Sequence, residues 1–151
     1  MLVIGSDHGG LELKQAVQAA LASRGMAFDD YGTSNSDSVD YPDFAEKVAG
    51  AISRGDAELG ILICGTGIGM SITANKFPGV RAALATDEFM AQMAKEHNNA
   101  NILVLGGRVL TVELAVKMVN IWLDTAYEGG RHQLRLDKIA KVEAAVLAGK
   151  S

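Results

Sequence analysis

A short apolar run that ends in a glycine-rich turn is the feature that most constrains this fold. Residues 59–63 are almost continuously apolar, the pattern of a strand buried on both faces of a parallel sheet. Cys64, the only cysteine, follows, and the next residues, 65–69, are Gly-Thr-Gly-Ile-Gly. We predict a helix that begins between Ile68 and Ser71 and runs to about Asn75. The turn therefore presents backbone N–H groups at a helix N-terminus, which favours a bound anion.

Strand-like and helix-like segments alternate along the chain. The predicted strands cover residues 2–5, 26–31, 59–63, 80–85 and 102–105. Apolar residues at helical spacing follow each strand, and a last helix is predicted over about 131–147. Five alternations with short connections predict an α/β, three-layer Rossmann-like fold. Its five-stranded parallel sheet would carry helices on both faces and an extra C-terminal helix, in a single domain of residues 1–151.

Composition excludes several classes of protein. The chain is 48% apolar with two prolines, as in ordinary globular proteins. No segment approaches the roughly 18 consecutive apolar residues of a membrane span, and the N-terminus has no signal-peptide pattern. A net charge of −4 argues against a nucleic-acid partner. A single cysteine excludes an internal disulfide, so we expect a cytoplasmic protein.

The polar residues that follow the strands are the candidate ligand-binding residues. Ligands of such sheets bind beyond the carboxyl ends of the strands. This rule selects Asp7 and His8 after the first strand, residues 64–69 after the third and Asp87 after the fourth. Residues 97–101 precede the fifth strand and so lie at the opposite edge. A function there is expected to serve a neighbouring subunit.

Known glycine-rich templates do not fit the turn. The dinucleotide pattern G-x-G-x-x-G fails because Met70 occupies the third glycine position, although Asp87 lies at a plausible distance for a ribose-binding acid. A nucleotide P-loop is absent, and no second cysteine completes a thioredoxin motif. The nucleophile elbow G-x-S-x-G is also absent. What remains is an anion-binding turn beside a single thiol.

Six motifs, in chain order, resemble those of one enzyme family. They are the residues at 6–10, 40–42, 64–69, 74–76, 96–98 and 127–132. Together they resemble the ribose-5-phosphate isomerase B family, whose group also holds galactose-6-phosphate isomerase subunits. The resemblance implies an aldose–ketose isomerase of the pentose phosphate pathway that needs no metal and no cofactor. It also implies a homodimer or homotetramer with sites shared between subunits.

The chemistry of such an isomerase assigns roles to the turn. Moving a carbonyl from C1 to C2 of ribose 5-phosphate requires a base that removes the C2 proton and donors that stabilise the enediolate. Cys64 can be that base, because a thiol at a helix N-terminus has raised thiolate character. Thr66 and the backbone of Gly65, Gly67, Ile68 and Gly69 would hold the negative charge. Some family members carry a glutamate base where Met70 stands, so the chain resembles the cysteine type.

The remaining site residues are implied by the resemblance. His97 would donate a proton to the ring oxygen while Asp7 receives that of the C1 hydroxyl, and Asn98 would support the enediolate oxygens. Tyr41 would line the sugar. The phosphate would be held by His8, Arg108, Arg131 and Arg135. The last two are four residues apart and share one helix face. The family pattern places His97, Asn98 and Arg108 on the partner subunit.

Several alternatives stay open at the level of sequence. The substrate could be a six-carbon aldose phosphate, such as allose 6-phosphate or galactose 6-phosphate. A non-catalytic nucleotide-binding module is a second alternative, and a subunit that requires a different partner chain is a third. Cys64 could also be an inert buried thiol, Asp7 a helix cap, and the arginines an ordinary charged helix face.

Overall fold

A single parallel sheet forms the centre of the protein. The structure, a computed structural model, describes residues 1–150. These form the five strands β1 (Leu2–Ser6), β2 (Phe28–Asp30), β3 (Leu59–Cys64), β4 (Ala82–Leu84) and β5 (Ile102–Gly106). The strand order is β2-β1-β3-β5-β4, and every pair is parallel. The predicted parallel sheet of five strands is confirmed.

Within residues 1–150, six α-helices follow the strands, as predicted. They are α1 (Leu11–Ser23), α2 (Tyr41–Arg54), α3 (Ile68–Ala74), α4 (Glu88–Glu96), α5 (Val112–Asp124) and α6 (Arg131–Leu147). Local chemistry sets their ends: the Thr111 side chain accepts the Leu114 N–H at the start of α5. A proline lies in the first turn of α2, and Gly55 ends that helix with a φ of 80°.

The helices cover both faces of the sheet. On one face, α1, α4 and α5 pack over the strands around the fully buried Trp122 and Met118. On the other face, α2 and α3 pack against Val3, Leu62 and Cys64. The alternating side chains of each strand therefore enter two different apolar cores, which confirms the predicted three-layer arrangement.

The strand register brings three turns to the same edge of the sheet. Ser6 pairs with Ile63, and Cys64 pairs with Gly106, so β1, β3 and β5 end at nearly the same level. From β1 the chain moves to β2 on one side and then to β3 on the other, which makes the gap between β1 and β3 the switch point. Ligand sites of doubly wound sheets form at such a point.

The last helix, α6, lies near the amino-terminal ends of the strands, at the edge of the sheet opposite the Cys64 turn, and exposes an apolar face. Its Glu143 carboxylate accepts the Gly79 N–H, close to the start of β4. Ile139, Val142 and Val146 are 54%, 63% and 56% exposed. Within residues 1–150, no helix combines the length and apolar content that crossing a bilayer requires.

Candidate active site

The turn after β3 holds Cys64 among backbone N–H groups. The thiol is 5% exposed, and its Sγ accepts the N–H of Gly67 at 3.2 Å. Gly67 itself has a φ of 83°, a left-handed conformation that glycine adopts without strain. The exposed Thr66 hydroxyl accepts the N–H of Ile68 at 3.3 Å. A thiolate is a better hydrogen-bond acceptor than a thiol, so this turn suits a sulfur anion.

Glycines allow the three turns at this edge to pack backbone against backbone. A Cβ on Gly106 would lie 2.7 Å from the Thr66 carbonyl oxygen, and one on Gly10 would lie 2.6 Å from that of Ile63. Gly107 meets the backbone of Gly9 in the same way. The sequence motifs included Gly10 but not the Gly106-Gly107 pair, whose role depends on the pairing of β3 with β5.

Asp7 and His8 follow β1 and lie at the same edge as Cys64. The buried Asp7 carboxylate accepts the Gly10 N–H at 3.1 Å, so it does cap the first turn, as the simpler alternative held. His8 Nδ1 accepts the Val39 N–H at 3.1 Å. A ring nitrogen that accepts a backbone N–H carries no proton, so His8 presents its Nε2–H as a donor.

Tyr41 and Arg108 also lie near the Cys64 turn. With Cys64, Asp7 and His8 they form the first group of site residues. A Cβ on Gly69 would overlap the Tyr41 ring, which places the ring directly over the turn. The Arg108 N–H donates to the Gly65 carbonyl at 2.9 Å, and its guanidinium lies 3.2 Å from the position of a Cβ on Gly65. The structure therefore corrects one expectation: Arg108 stands beside the Cys64 turn of its own chain and not with His97 and Asn98.

A second group of predicted residues lines a separate cleft of about 350 Å³. The cleft is formed by His97, Asn98, Arg131, His132, Arg135 and Leu136. Arg131 and Arg135, four residues apart on α6, both line this cleft. Arg135 Nη1 also donates to the Arg131 backbone carbonyl at 3.0 Å. The cleft therefore combines two guanidinium groups with an imidazole and an amide, donors that suit a phosphate and a sugar oxygen.

The sequence left open whether His132 contacts phosphate or acts as a spacer. Its ring stacks on that of His97, with centroids 4.0 Å apart and planes 16° from parallel. His132 is buried, and its Nε2 lies 3.6 Å from a Glu128 carboxylate oxygen. The side chain therefore fixes the plane of the His97 ring. No local sequence signal indicated this contact, which joins the end of α4 to the start of α6.

His97, His132 and Glu128 are the described groups that could hold a metal ion. Their ligand atoms lie within 4.8 Å of one another. A metal must lie close to the plane of each imidazole that binds it, and two nearly parallel rings 4.0 Å apart share no such point. The stacked rings therefore do not fit one ion, and at least one would have to rotate to bind it.

The two groups of residues lie at opposite edges of the sheet within one chain. Cys64 ends β3 level with Gly106, whereas His97 precedes the start of β5 at Ile102. The four residue steps between these levels correspond to about 13 Å along the strands. The cleft around His97 and Arg131 therefore does not open onto the Cys64 turn of the same chain. The expectation that residues 97–101 serve a neighbouring subunit stays a prediction.

Asp87, the acid of the nucleotide-binding alternative, has a structural role. Its carboxylate accepts the Met90 N–H at 2.7 Å and caps α4. The same residue would have to bind a ribose hydroxyl in a dinucleotide site. With Met70 fully buried in the second core, the turn also lacks the third glycine of that pattern.

Comparison with known proteins agrees with the site. A family model described as Ribose/Galactose Isomerase matches residues 2–139. The ribose-5-phosphate isomerase B of Escherichia coli (strain K12) is 46% identical over 142 residues, which cover 94% of this chain and 95% of that protein. A putative sugar phosphate isomerase of Bacillus subtilis (strain 168), YwlF, is 47% identical over 143 residues, which cover 94% and 96% of the two chains.

Solved structures give the same result. Ribose-5-phosphate isomerase B of Clostridium thermocellum superposes with a TM-score of 0.94 at 50% identity, covering 96% of this chain and 98% of that chain. The Mycoplasma genitalium enzyme of the same name, solved with bound ribulose 5-phosphate, gives 0.91 at 44% identity and covers 95% of each chain. The six motifs, the topology and these matches agree, and the chain belongs to the ribose/galactose isomerase family.

Proposed function

We propose that the protein interconverts ribose 5-phosphate and ribulose 5-phosphate through an enediolate, with Cys64 as the base. One observation carries the proposal: the Cys64 sulfur sits in a turn of backbone N–H donors, next to Asp7 and His8. In such a turn the Cys64 thiolate can accept the C2 proton of the sugar, and backbone N–H groups can stabilise the negative charge that develops on the substrate. Support comes from relatives that are named ribose-5-phosphate isomerase B, one of them with bound ribulose 5-phosphate.

Ring opening comes first in this proposal. His97 donates a proton to the ring oxygen as the bond from C1 to that oxygen breaks. Asp7 accepts the proton of the C1 hydroxyl, whose electrons form the C1 carbonyl. The stack with His132 holds the His97 ring in one plane, and the Gly10 N–H holds the Asp7 carboxylate. Both groups are therefore oriented before the substrate binds.

Proton transfer follows on the open-chain sugar. The Cys64 thiolate removes the proton from C2, and the electron pair moves to O1 through the C1–C2 bond. The N–H groups of Gly65, Thr66 and Gly69, the Thr66 hydroxyl and Asn98 stabilise this enediolate oxygen, because the Gly67 N–H binds Sγ and the Ile68 N–H binds the Thr66 hydroxyl. The C2 hydroxyl proton then moves to O1 while Cys64 returns its proton to C1. Ribulose 5-phosphate results, and the thiolate is regenerated.

The phosphate is bound by charge and by one neutral donor. His8 offers Nε2–H because its Nδ1 accepts the Val39 N–H. Arg108 lies beside the same turn, and Arg131 and Arg135 supply two more guanidinium groups from the second cleft. Arginine forks match phosphate oxygens in pairs, which fixes the far end of the sugar while its C1 and C2 lie at Cys64.

The complete site requires a second copy of the chain. We propose a homodimer in which the α6 edge of one subunit covers the Cys64 edge of the other. Both edges expose large apolar side chains: Tyr41, Ile68, Phe89, Met90, Val109 and Val112 on the Cys64 side, and Leu134, Ile139, Val142 and Val146 on α6. A two-fold interface would bury both sets and form two equivalent sites, and two such dimers could form a tetramer.

The thiolate base also bears on the compartment. A free cysteine that must stay unoxidised works best in a reducing environment. We therefore place the activity in the cytoplasm.

The test is a comparison of rates on five- and six-carbon aldose phosphates with the purified chain alone. We expect turnover of ribose 5-phosphate to exceed that of allose 6-phosphate and galactose 6-phosphate. Faster turnover of a six-carbon sugar would overturn the substrate assignment, and activity only with another chain present would overturn self-sufficiency. Stabilisation by NAD or ATP, with none by ribose 5-phosphate, would favour the nucleotide-binding module.

A further inference from the structure

A buried lysine lies outside the site described above. Lys14 is 1% exposed, although it stands on α1, a surface helix. Its ammonium donates to the Asp30 carboxylate at 2.6 Å and also to the backbone carbonyl of Thr33. Burying an ammonium is costly, and an apolar side chain of the same length would fill the space at a lower cost. The charge therefore has a role that packing does not explain.

The lysine is the centre of a polar network that fixes the chain after β2. The Asp30 carboxylate also accepts the Gly32 N–H at 2.9 Å and the Gln18 amide at 2.8 Å. Burial raises the pKa of this carboxyl, but the hydrogen bonds from Lys14, Gly32 and Gln18 outweigh it, so the pKa lies below its ordinary value. Asp30 is thus held as an anion between α1 and the segment that follows β2.

This segment contacts the end of β1, directly before the catalytic aspartate. The Ser6 N–H donates to the Gly32 carbonyl, and the Thr33 N–H donates to the Ser6 carbonyl, both at 2.7 Å. Asp7 and His8 come next in the chain. Thr33 also begins the loop that supplies Val39, whose N–H donates to His8 Nδ1 at 3.1 Å. Lys14 therefore fixes the two chain segments that determine where His8 points.

We propose that Lys14 is a positioning residue for the reaction: through Thr33 and Asp30 it holds the 33–39 loop and the end of β1, and so fixes His8 against the phosphate. The inference rests on the proposed function for its consequence in catalysis. Its structural part, the dependence of the Val39–His8 hydrogen bond on Lys14, does not. Lys14 contacts no reacting atom and acts only through the backbone that it holds.

The test uses Lys14→Met, which keeps length and removes the charge. We expect KM for ribose 5-phosphate to rise about tenfold while kcat falls by less than about threefold, because phosphate positioning is lost and the thiolate is not moved. Without substrate, exchange of the Val39 amide hydrogen should become at least about tenfold faster. Gln18→Leu is the matched control: it removes another hydrogen bond to Asp30 but none to the 33–39 loop, and should change neither quantity.

Wild-type KM and wild-type Val39 exchange in Lys14→Met would overturn the proposal, as would equal changes in Gln18→Leu. If Lys14→Met does not fold, Asp30→Asn carries the same test with smaller shifts in the same directions. Amide exchange separates this inference from the proposed function. An inactive wild-type chain would overturn the function and leave the exchange result to decide the role of Lys14.

Discussion

Two inactive variants of this protein should restore each other when they share a dimer. The first is Cys64→Ala, which damages the group of residues at the carboxyl edge of the sheet. The second combines Arg131→Ala with Arg135→Ala, which damages the cleft at the amino edge. About 13 Å of strand separates these levels within one chain, so in the proposed homodimer each complete site combines one edge from each subunit.

The proposed two-fold dimer sets the size of the recovery. In a mixed dimer, one site carries all the substitutions and the other carries none. The purified mixed dimer should therefore have about half the wild-type rate per dimer, and a random equal mixture about one quarter. If each site belonged to a single chain, every site in the mixed dimer would carry at least one substitution, and no rate would return.

The assay is co-expression of the two variants with different affinity tags, purification over both tags, and measurement of ribulose 5-phosphate formation. The control is a mixed dimer of Cys64→Ala with Cys64→Ser, whose substitutions fall in the same group and should not restore activity. A mixed dimer of the first pair that stays as inactive as its parents would refute the shared-site argument. Recovery in the control would refute it as well, because that recovery could not come from separate groups.

Two further predictions concern stability. Gly67→Ala should lower the free energy of unfolding by about 2–4 kcal/mol, because a Cβ at this left-handed residue is strained and overpacks the core. That Cβ would lie 2.5 Å from Leu84 Cδ1 and 3.1 Å from the Leu105 carbonyl oxygen. Gly55→Ala, at a φ of 80° with open space around its Cβ, should lose only the strain; equal losses in denaturant titrations would contradict the contact argument. The second prediction follows from the lowered pKa of Asp30. The contribution of its carboxylate is full above the ordinary value of about 3.9 and is lost as pH falls through the lower folded value. The difference in Tm between the wild type and Asp30→Asn should thus be largest near pH 7 and should disappear in acid. A difference that does not change with pH would contradict this prediction.

The sequence was sufficient for the fold because each element carries its own local signal. Apolar runs marked the strands, and caps such as Thr111 marked the helices. The strands β4 and β2 are shorter than predicted, because residues at their starts bind distant partners. The Arg81 N–H donates to the Asn101 side chain rather than to the ladder, and the Met26 N–H donates to the Leu21 carbonyl at the end of α1. Such contacts cannot be inferred from local periodicity.

Part of the site could be predicted from short sequence segments, and the rest depends on contacts between distant parts of the chain. The Cys64 turn and the spacing of Arg131 and Arg135 were visible because each lies in one short segment. The grouping of Arg108 with Gly65 depends on the register of β5 with β3, and the stack of His97 on His132 depends on where α6 meets α4. The burial of Lys14 is the clearest example, because a lysine on a helix is ordinarily exposed and the partners of its ammonium, Asp30 and Thr33, lie in a distant segment of the chain.

The central claim, that the Cys64 sulfur carries a proton between C2 and C1, can be tested by isomerisation in D₂O followed by proton NMR of the product. The S–H formed on Cys64 exchanges with solvent, so the account predicts deuterium at C1 of ribulose 5-phosphate with the wild type. With Cys64→Ala we expect sugar phosphate to bind, while deuterium incorporation falls by about 10²–10⁴-fold, the usual contribution of a general base. Incorporation by Cys64→Ala at the wild-type rate would contradict the claim.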